Sequence, residues 1–139
     1  MKIVVIDGQG GGVGRGIIEQ LRAQGAKGEI VAVGTNVTAT AGMLRAGADA
    51  GATGENAVVF NCADADVVTG PIGILRANSM YGEISPAMAA AVSSCPGMLV
   101  LIPMGKCPVQ VVGAVENPLS KYLEETARKV IALCGEVQQ

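Results

Sequence analysis

The stretch Lys2-Ile-Val-Val-Ile-Asp7-Gly-Gln-Gly-Gly-Gly-Val-Gly-Arg-Gly16 decides the fold. Ile3 to Ile6 form an unbroken β-branched run with no polar residue alternating through it, as in a strand buried on both faces of a parallel sheet. Glycines follow at 8, 10, 11, 12, 14 and 16. After them Val13, Ile17, Ile18 and Leu21 recur at helical spacing, Glu19 and Arg22 point away, and Gly25 ends the pattern, so a helix is predicted to begin near Val13. Strand, glycine-rich turn and amphipathic helix in this order make the first unit of a Rossmann-like α/β fold.

Such a turn is suited to phosphate. Glycine permits unusual dihedrals and a close approach of the backbone, and the helix N-terminus adds free N–H groups and partial positive charge. Gly8, Gln9, Gly10, Gly11, Gly12, Val13, Gly14 and Arg15 are therefore the expected contacts of a bound phosphate or pyrophosphate. The alternative is that the glycines serve only tight strand–helix packing, although six in nine positions exceed what packing needs. No Gly-Lys-Ser/Thr follows them, which argues against a P-loop ATPase. Asp7 fits least well, because a carboxylate at the strand tip repels a phosphate. It either accepts backbone N–H groups of its own loop and holds the turn, or contacts a ribose or a Mg²⁺ ion.

Outward from this unit, apolar runs predict further strands at Ile30 to Val33, Ala57 to Phe60, Val67 to Thr69, Leu99 to Ile102 and Val109 to Val112. Thr38 is read as the cap of a second helix running through Met43 to Ala46, with Gly47 beyond its end. Pro86 suits the first turn of a third, and Leu119, Tyr122, Leu123, Ala127, Val130, Ile131 and Cys134 form the stripe of a last one. Gly51 to Asn56 reads as a polar turn ahead of the third strand. Alternating strands and helices predict a three-layer sandwich with a mostly parallel sheet in the order 3-2-1-4-5 and a C-terminal helix. The short link Met104 to Pro108 leaves no room for a crossover helix and suggests an antiparallel edge hairpin.

In that order the ligand crevice lies between strands one and four. Gly70, Pro71 and Gly73 should form its far wall, with Asn78 and Ser79 next to it in the polar cluster that holds Tyr81, Glu83 and Ser85. After the second strand Thr35 and Asn36 stand where an adenosine ribose arrives. Small polar residues there accommodate a 2′-phosphate, which favours NADP over NAD, and another nucleotide also fits. Equally, these side chains can cap the next helix.

The composition narrows the partners. The chain has 139 residues, half of them apolar but only three aromatic, which suits one domain with an aliphatic core. A net charge of −2 offers no basic field, so nucleic acid is not an expected partner. No run is long and apolar enough for a membrane span, and the start lacks the features of a signal sequence, so a cytoplasmic protein is expected. Cys62, Cys95, Cys107 and Cys134 form no CxxC pair and the chain has no histidine, so no metal site is expected. Lys106 beside Cys107 would make that thiol reactive only if it lowered the thiol pKa.

At Gly8, Gly12 and Gly14 the turn matches GxxxGxG rather than GxGxxG. In that form it resembles the cofactor loop of the short-chain dehydrogenases/reductases. Tyr81 is followed four residues on by Ser85, and Tyr122 by Thr126, so the tyrosine–lysine pair of that family is absent and its chemistry does not carry over. Over most of its length, through Ile-Asp-Gly-Gln-Gly-Gly-Gly, Gly34-Thr-Asn36, Gly51-Ala-Thr-Gly-Glu-Asn56, Gly70-Pro-Ile-Gly-Ile74 and Ala77-Asn-Ser-Met80, the chain resembles short bacterial proteins catalogued as domain of unknown function 3842. Two functions are expected to compete. One is binding of a small-molecule nucleotide, with a homo-oligomer completing the site because so short a chain leaves little for a substrate domain. The other is a non-catalytic regulatory or assembly module, with Met80, Met88, Met98 and Met104 buried against another copy and a purely structural glycine turn.

Overall fold

The computed structural model describes residues 1–103 and 108–137. Strand β1 (Lys2–Asp7) leads into α1 (Gly12–Ala23), then β2 (Glu29–Gly34), α2 (Val37–Arg45), β3 (Ala50–Thr53) and α3 (Glu55–Cys62). After these come β4 (Val67–Pro71), a 3₁₀ turn (Ile72–Leu75), α4 (Pro86–Ser93), β5 (Met98–Ile102) and α5 (Leu119–Val137). The strands form one sheet in the order β3-β2-β1-β4-β5, with every neighbouring pair parallel. The fold is a three-layer, Rossmann-like α/β sandwich.

The unbroken apolar run of β1 reflects its central place. Ile3 and Val5 face Ile17, Ile18 and Leu21 of α1, Met43 of α2 and Ala127 and Val130 of α5. Val4 and Ile6 face Val58 and Cys62 of α3 and Met88 and Val92 of α4. A strand covered on both sides has no solvent face to mark with polar residues.

Several expectations are corrected. Ala57 to Phe60 is helix α3, not a strand: Val58, Asn61 and Cys62 turn inward at helical spacing, while Val59 and Phe60 stay exposed. The third strand is instead Ala50–Thr53, inside the segment read as a polar turn. Its residues are small because α2 lies on it; a Cβ on Gly51 would meet Leu44 and Thr40 side chains at 2.9 to 3.0 Å. Asn36, not Thr38, caps α2, its Oδ1 accepting the N–H of Ala39 at 2.9 Å. Val109 to Val112 form no strand, and the edge strand β5 is parallel to β4, so no antiparallel hairpin is found among the described residues. Met104 to Cys107, including the Lys106–Cys107 pair, lie outside them. No described helix is long and apolar enough to cross a membrane.

One buried group stands out. Thr69, between Val5 and Val100 in the sheet, is fully buried, and its hydroxyl has no partner among the described residues. Replacing a buried unpaired hydroxyl by a methyl of similar shape removes a desolvation cost. Thr69→Val is therefore expected to stabilise the fold by about 1 kcal/mol, read as a raised Tm in thermal denaturation followed by circular dichroism. A lowered Tm would show that the hydroxyl is satisfied in solution.

Candidate functional site

The turn after β1 is built around Asp7. The N-cap of α1, Gly11, has φ of 73° and no side chain with which to cap the helix. Asp7, at the tip of β1, takes over that role. Its Oδ2 accepts the N–H of Gly14 and its Oδ1 the N–H of Gly8, each at 2.7 Å. Asp7 is 4% exposed. Burial pushes its pKa above the ordinary aspartate value and the charge of Glu83 adds to the rise, against the pull of the N–H groups of Gly14, Gly8 and Val13. Of the expectations weighed for Asp7, the structure realises the turn-holding one. The likeness to the short-chain reductases is thus one of spacing, because a carboxylate of the chain itself holds amides that would grip a phosphate.

The glycines divide by role. A Cβ at Gly11 would lie 2.8 Å from the Ala39 backbone, at Gly14 2.6 Å from Met43 Sδ and 2.9 Å from Asp7 Cβ, and at Gly16 2.5 Å from Leu123 of α5. At Gly8 it would meet Thr35 Oγ1 at 2.7 Å and Met80 Sδ at 2.8 Å. Packing therefore accounts for these four. Gly10 and Gly12 face open space.

A second carboxylate ties the upper loops together. Glu83 Oε1 accepts the Gln9 N–H at 2.9 Å, the Thr35 hydroxyl at 2.5 Å and the Asn36 side-chain amide at 2.9 Å. Asn36 Nδ2 also donates to the Gln9 carbonyl at 2.9 Å. Burial opposes the charge on Glu83, but the hydrogen bonds from Thr35, Gln9 and Asn36 outweigh it and hold its pKa below the ordinary glutamate value. The two residues expected to meet a ribose are thus engaged by the protein.

Beside this tie, between the C-terminal ends of β1 and β4, a cavity of about 580 Å³ opens. It lies at the topological switch point, where ligands of open α/β sheets bind, and its volume is that of a small-molecule site. Asp7, Gly8, Gln9 and Val13 line one side, Pro71 and Gly73 another, and the loop from Arg76 to Tyr81 a third, with Pro108 at the margin. Of the expected site residues, the structure gathers Gly8, Gln9, Val13, Pro71, Gly73, Asn78 and Ser79 around it. Gly10, Gly11, Gly12, Gly14, Arg15, Thr35, Asn36 and Gly70 are not in its wall. Arg15 lies on the exposed face of α1, 3.9 Å from Glu19.

The loop from Arg76 to Glu83 is folded tightly on itself. The Asn78 N–H donates to the Ile84 carbonyl at 2.6 Å, the Ile84 N–H to the Ser79 carbonyl at 3.2 Å, and Ser79 Oγ to the Gly73 carbonyl at 2.5 Å. Asn78, Met80 and Tyr81 have φ of 68°, 57° and 56°, in the left-handed region that side chains rarely occupy. Such strain persists only where surrounding bonds enforce it, and it clusters at ligand sites. The result holds Met80 against the cavity and Tyr81 at its rim, 89% exposed.

Arg76 went unnoticed in the sequence because it belongs to no motif; its one signal is its position in the loop of Asn78 and Ser79. It lines the cavity and has no ion pair among the described residues. Cys62, Cys95 and Cys134, the thiols among the described residues, are not in the wall of this cavity. Cys62 is buried on the α3 side, where burial, then the neighbouring Cys95, pushes its pKa up to about 11. Cys134 is buried on the inner face of α5.

The model of the family described as Domain of unknown function (DUF3842) matches residues 2–135. No curated protein matches the chain. Among solved structures, the chain is similar to a dodecameric FMN-dependent UbiX-like decarboxylase from Escherichia coli O157:H7, at 14% identity and a TM-score of 0.46, over 97% of this chain and 94% of that one.

Proposed function

We propose that this chain, which belongs to the DUF3842 family, binds a phosphorylated ligand the size of a mononucleotide in the crevice between β1 and β4. The observation that carries this reading is the cavity at the switch point with Arg76 in its wall and no carboxylate paired to that guanidinium among the described residues. A guanidinium suits a phosphate, which it can bind through two parallel hydrogen bonds. Val13, Pro71 and Met80 offer apolar surface to a flat ring, and Gln9 and Asn78 offer amides to its edge.

Size follows from the Glu83 tie. A dinucleotide such as NADP would extend past the end of β2 to Thr35 and Asn36, and Glu83 holds both. The phosphate grip moves from the glycine amides, two of which serve Asp7, to Arg76.

The test is thermal shift of the protein with FMN, ATP, GTP, NAD, NADP and FAD, repeated on Arg76→Glu. A rise in Tm with a mononucleotide, at least halved in Arg76→Glu, is expected. No rise with any nucleotide, or the same rise in the variant, would refute the proposal. A larger rise with NADP than with any mononucleotide would favour the dinucleotide reading and require Glu83 to release Thr35 and Asn36.

A further inference from the structure

We infer that residues 109–115 are an exchange strand: a second copy of this chain lays this segment along the outer edge of β5 and receives the same segment in return. The segment reads Val109-Gln-Val-Val-Gly-Ala-Val115, β-branched at four of seven positions and without a charge between Lys106 and Glu116. Such a sequence favours an extended strand with partners on its edge. Among the described residues no strand pairs with it; Val112 and Gly113 form a turn, and the Val115 carbonyl accepts the Tyr122 hydroxyl at 2.5 Å and the Asn117 side-chain amide at 3.2 Å. Val109, Val111, Val112 and Val115 are 39%, 46%, 101% and 70% exposed. The one backbone hydrogen bond within the segment among the described residues joins the Ala114 N–H to the Val111 carbonyl at 3.1 Å.

The same chain carries the complementary vacancy. Among the described residues β5 pairs with β4 on one side only, and Leu99, Val100 and Leu101 are half-buried. An apolar edge strand left open is a template for strand addition unless charge, proline or a cover guards it, and none of its five residues is charged or proline. The opposite edge, β3, has only four residues, all small, with Asp49 directly before it and Glu55 two positions after it, which makes it the poorer template.

A strand-prone segment that pairs with no sheet and a sheet edge that pairs with no strand, in one chain, satisfy each other across a two-fold axis. The four valines expose on the order of 400 Å² per copy, about 800 Å² for two; with the β5 edges added, this is the low, weakly associating end of specific interfaces. This inference stands apart from the ligand: Pro108, at the margin of the cavity, immediately precedes the segment, but the exchange holds whatever the cavity binds.

Multi-angle light scattering of the full chain at high micromolar concentration is expected to give the mass of a dimer or of a higher multiple of it. Val112→Lys alters a side chain wholly exposed in the single chain, so its circular dichroism should match wild type while dimer affinity falls at least about tenfold. Amide hydrogen exchange is expected to show concentration-dependent protection of residues 98–102 and 109–115 in wild type, lost in Val112→Lys. A wild-type monomer, a dimer indifferent to Val112→Lys, or protection at residues 50–53 instead would each overturn the proposal. Because nucleotide thermal shift can be measured on the Val112→Lys variant, a failed dimer and a failed ligand site are told apart.

Discussion

Asp7→Ala is expected to lower the stability of the fold by about 3 kcal/mol, since it strands the N–H groups of Gly8 and Gly14 in a buried turn and each costs roughly 1–3 kcal/mol unpaired. Asp7→Asn should recover only part of the loss, because its amide nitrogen would face one of the two donors. Urea denaturation of the three proteins gives the comparison. A stability change of a few tenths of a kcal/mol for Asp7→Ala would mean that the turn is held by its glycine geometry alone.

The pH dependence of this gap has a definite sign. The Asp7 pKa lies above 3.8 in the folded protein, so the fold binds that proton more tightly than the unfolded chain does. Its contribution is complete below 3.8 and is lost as pH rises through the folded value. The difference between wild type and Asp7→Ala should therefore narrow as pH rises. Taking the difference removes Asp49 and Asp64, whose pKa values lie below the ordinary one and whose contributions run the opposite way.

Gly70→Ala should be at least as damaging, and its neighbour Gly73→Ala almost silent toward the fold. A Cβ at Gly70 would stand 2.2 Å from the carbonyl oxygen of Ile6, backbone against backbone, in the centre of the sheet. Neither partner has a flexible end to move, so a loss of about 3 kcal/mol or more is expected, from overpacking at the upper end of its usual range. At Gly73 the nearest atoms are Ser79 Oγ at 3.5 Å and Met80 Cε at 3.6 Å, ordinary contact distances. Gly73→Ala should fold with an unchanged urea midpoint yet weaken the nucleotide thermal shift, because Gly73 lines the cavity. Equal stabilities for the two variants would refute the assignment of one glycine to packing and the other to the site.

Much of this architecture is legible in the chain. The two-faced burial of β1, the α1 stripe, Pro86 opening α4 and the long α5 stripe are periodic signals that tertiary structure reinforces, and the strand order follows from alternation. What hid β3 was its own contact: α2 presses Leu44 and Thr40 onto Ala50–Thr53, which forces small residues and removes the β-branched signal. The reverse happened at α3, where Val58, Val59 and Phe60 look like a strand although two of the three face solvent. Propensity describes single residues, and here the packing neighbours overruled it.

The site was legible in part for a related reason. Glycines that admit a ligand and glycines that admit a neighbouring element look the same in sequence. Only the structure separates Gly11, Gly14 and Gly70, which are filled by Ala39, Met43 and Ile6, from Gly73, which borders the cavity. The partners of Asp7 lie within its own loop, where the sequence could place them, but those of Glu83 lie up to 74 residues away along the chain and no spacing encodes such a pairing. Arg76 shows the limit most plainly, since a single cation acquires meaning only when a cavity forms beside it.

The bond pattern of Glu83 also bears on motion. One oxygen atom is the shared acceptor for the turn after β1, the turn after β2 and the loop before α4. If that loop lifts, both turns lose their donor's partner in the same event, so the three cannot fray separately. Openings at this end of the sheet should be cooperative, a single unit in the sense of local unfolding. The loops above the crevice then behave as one gate with one equilibrium, rather than as three independent fluctuations.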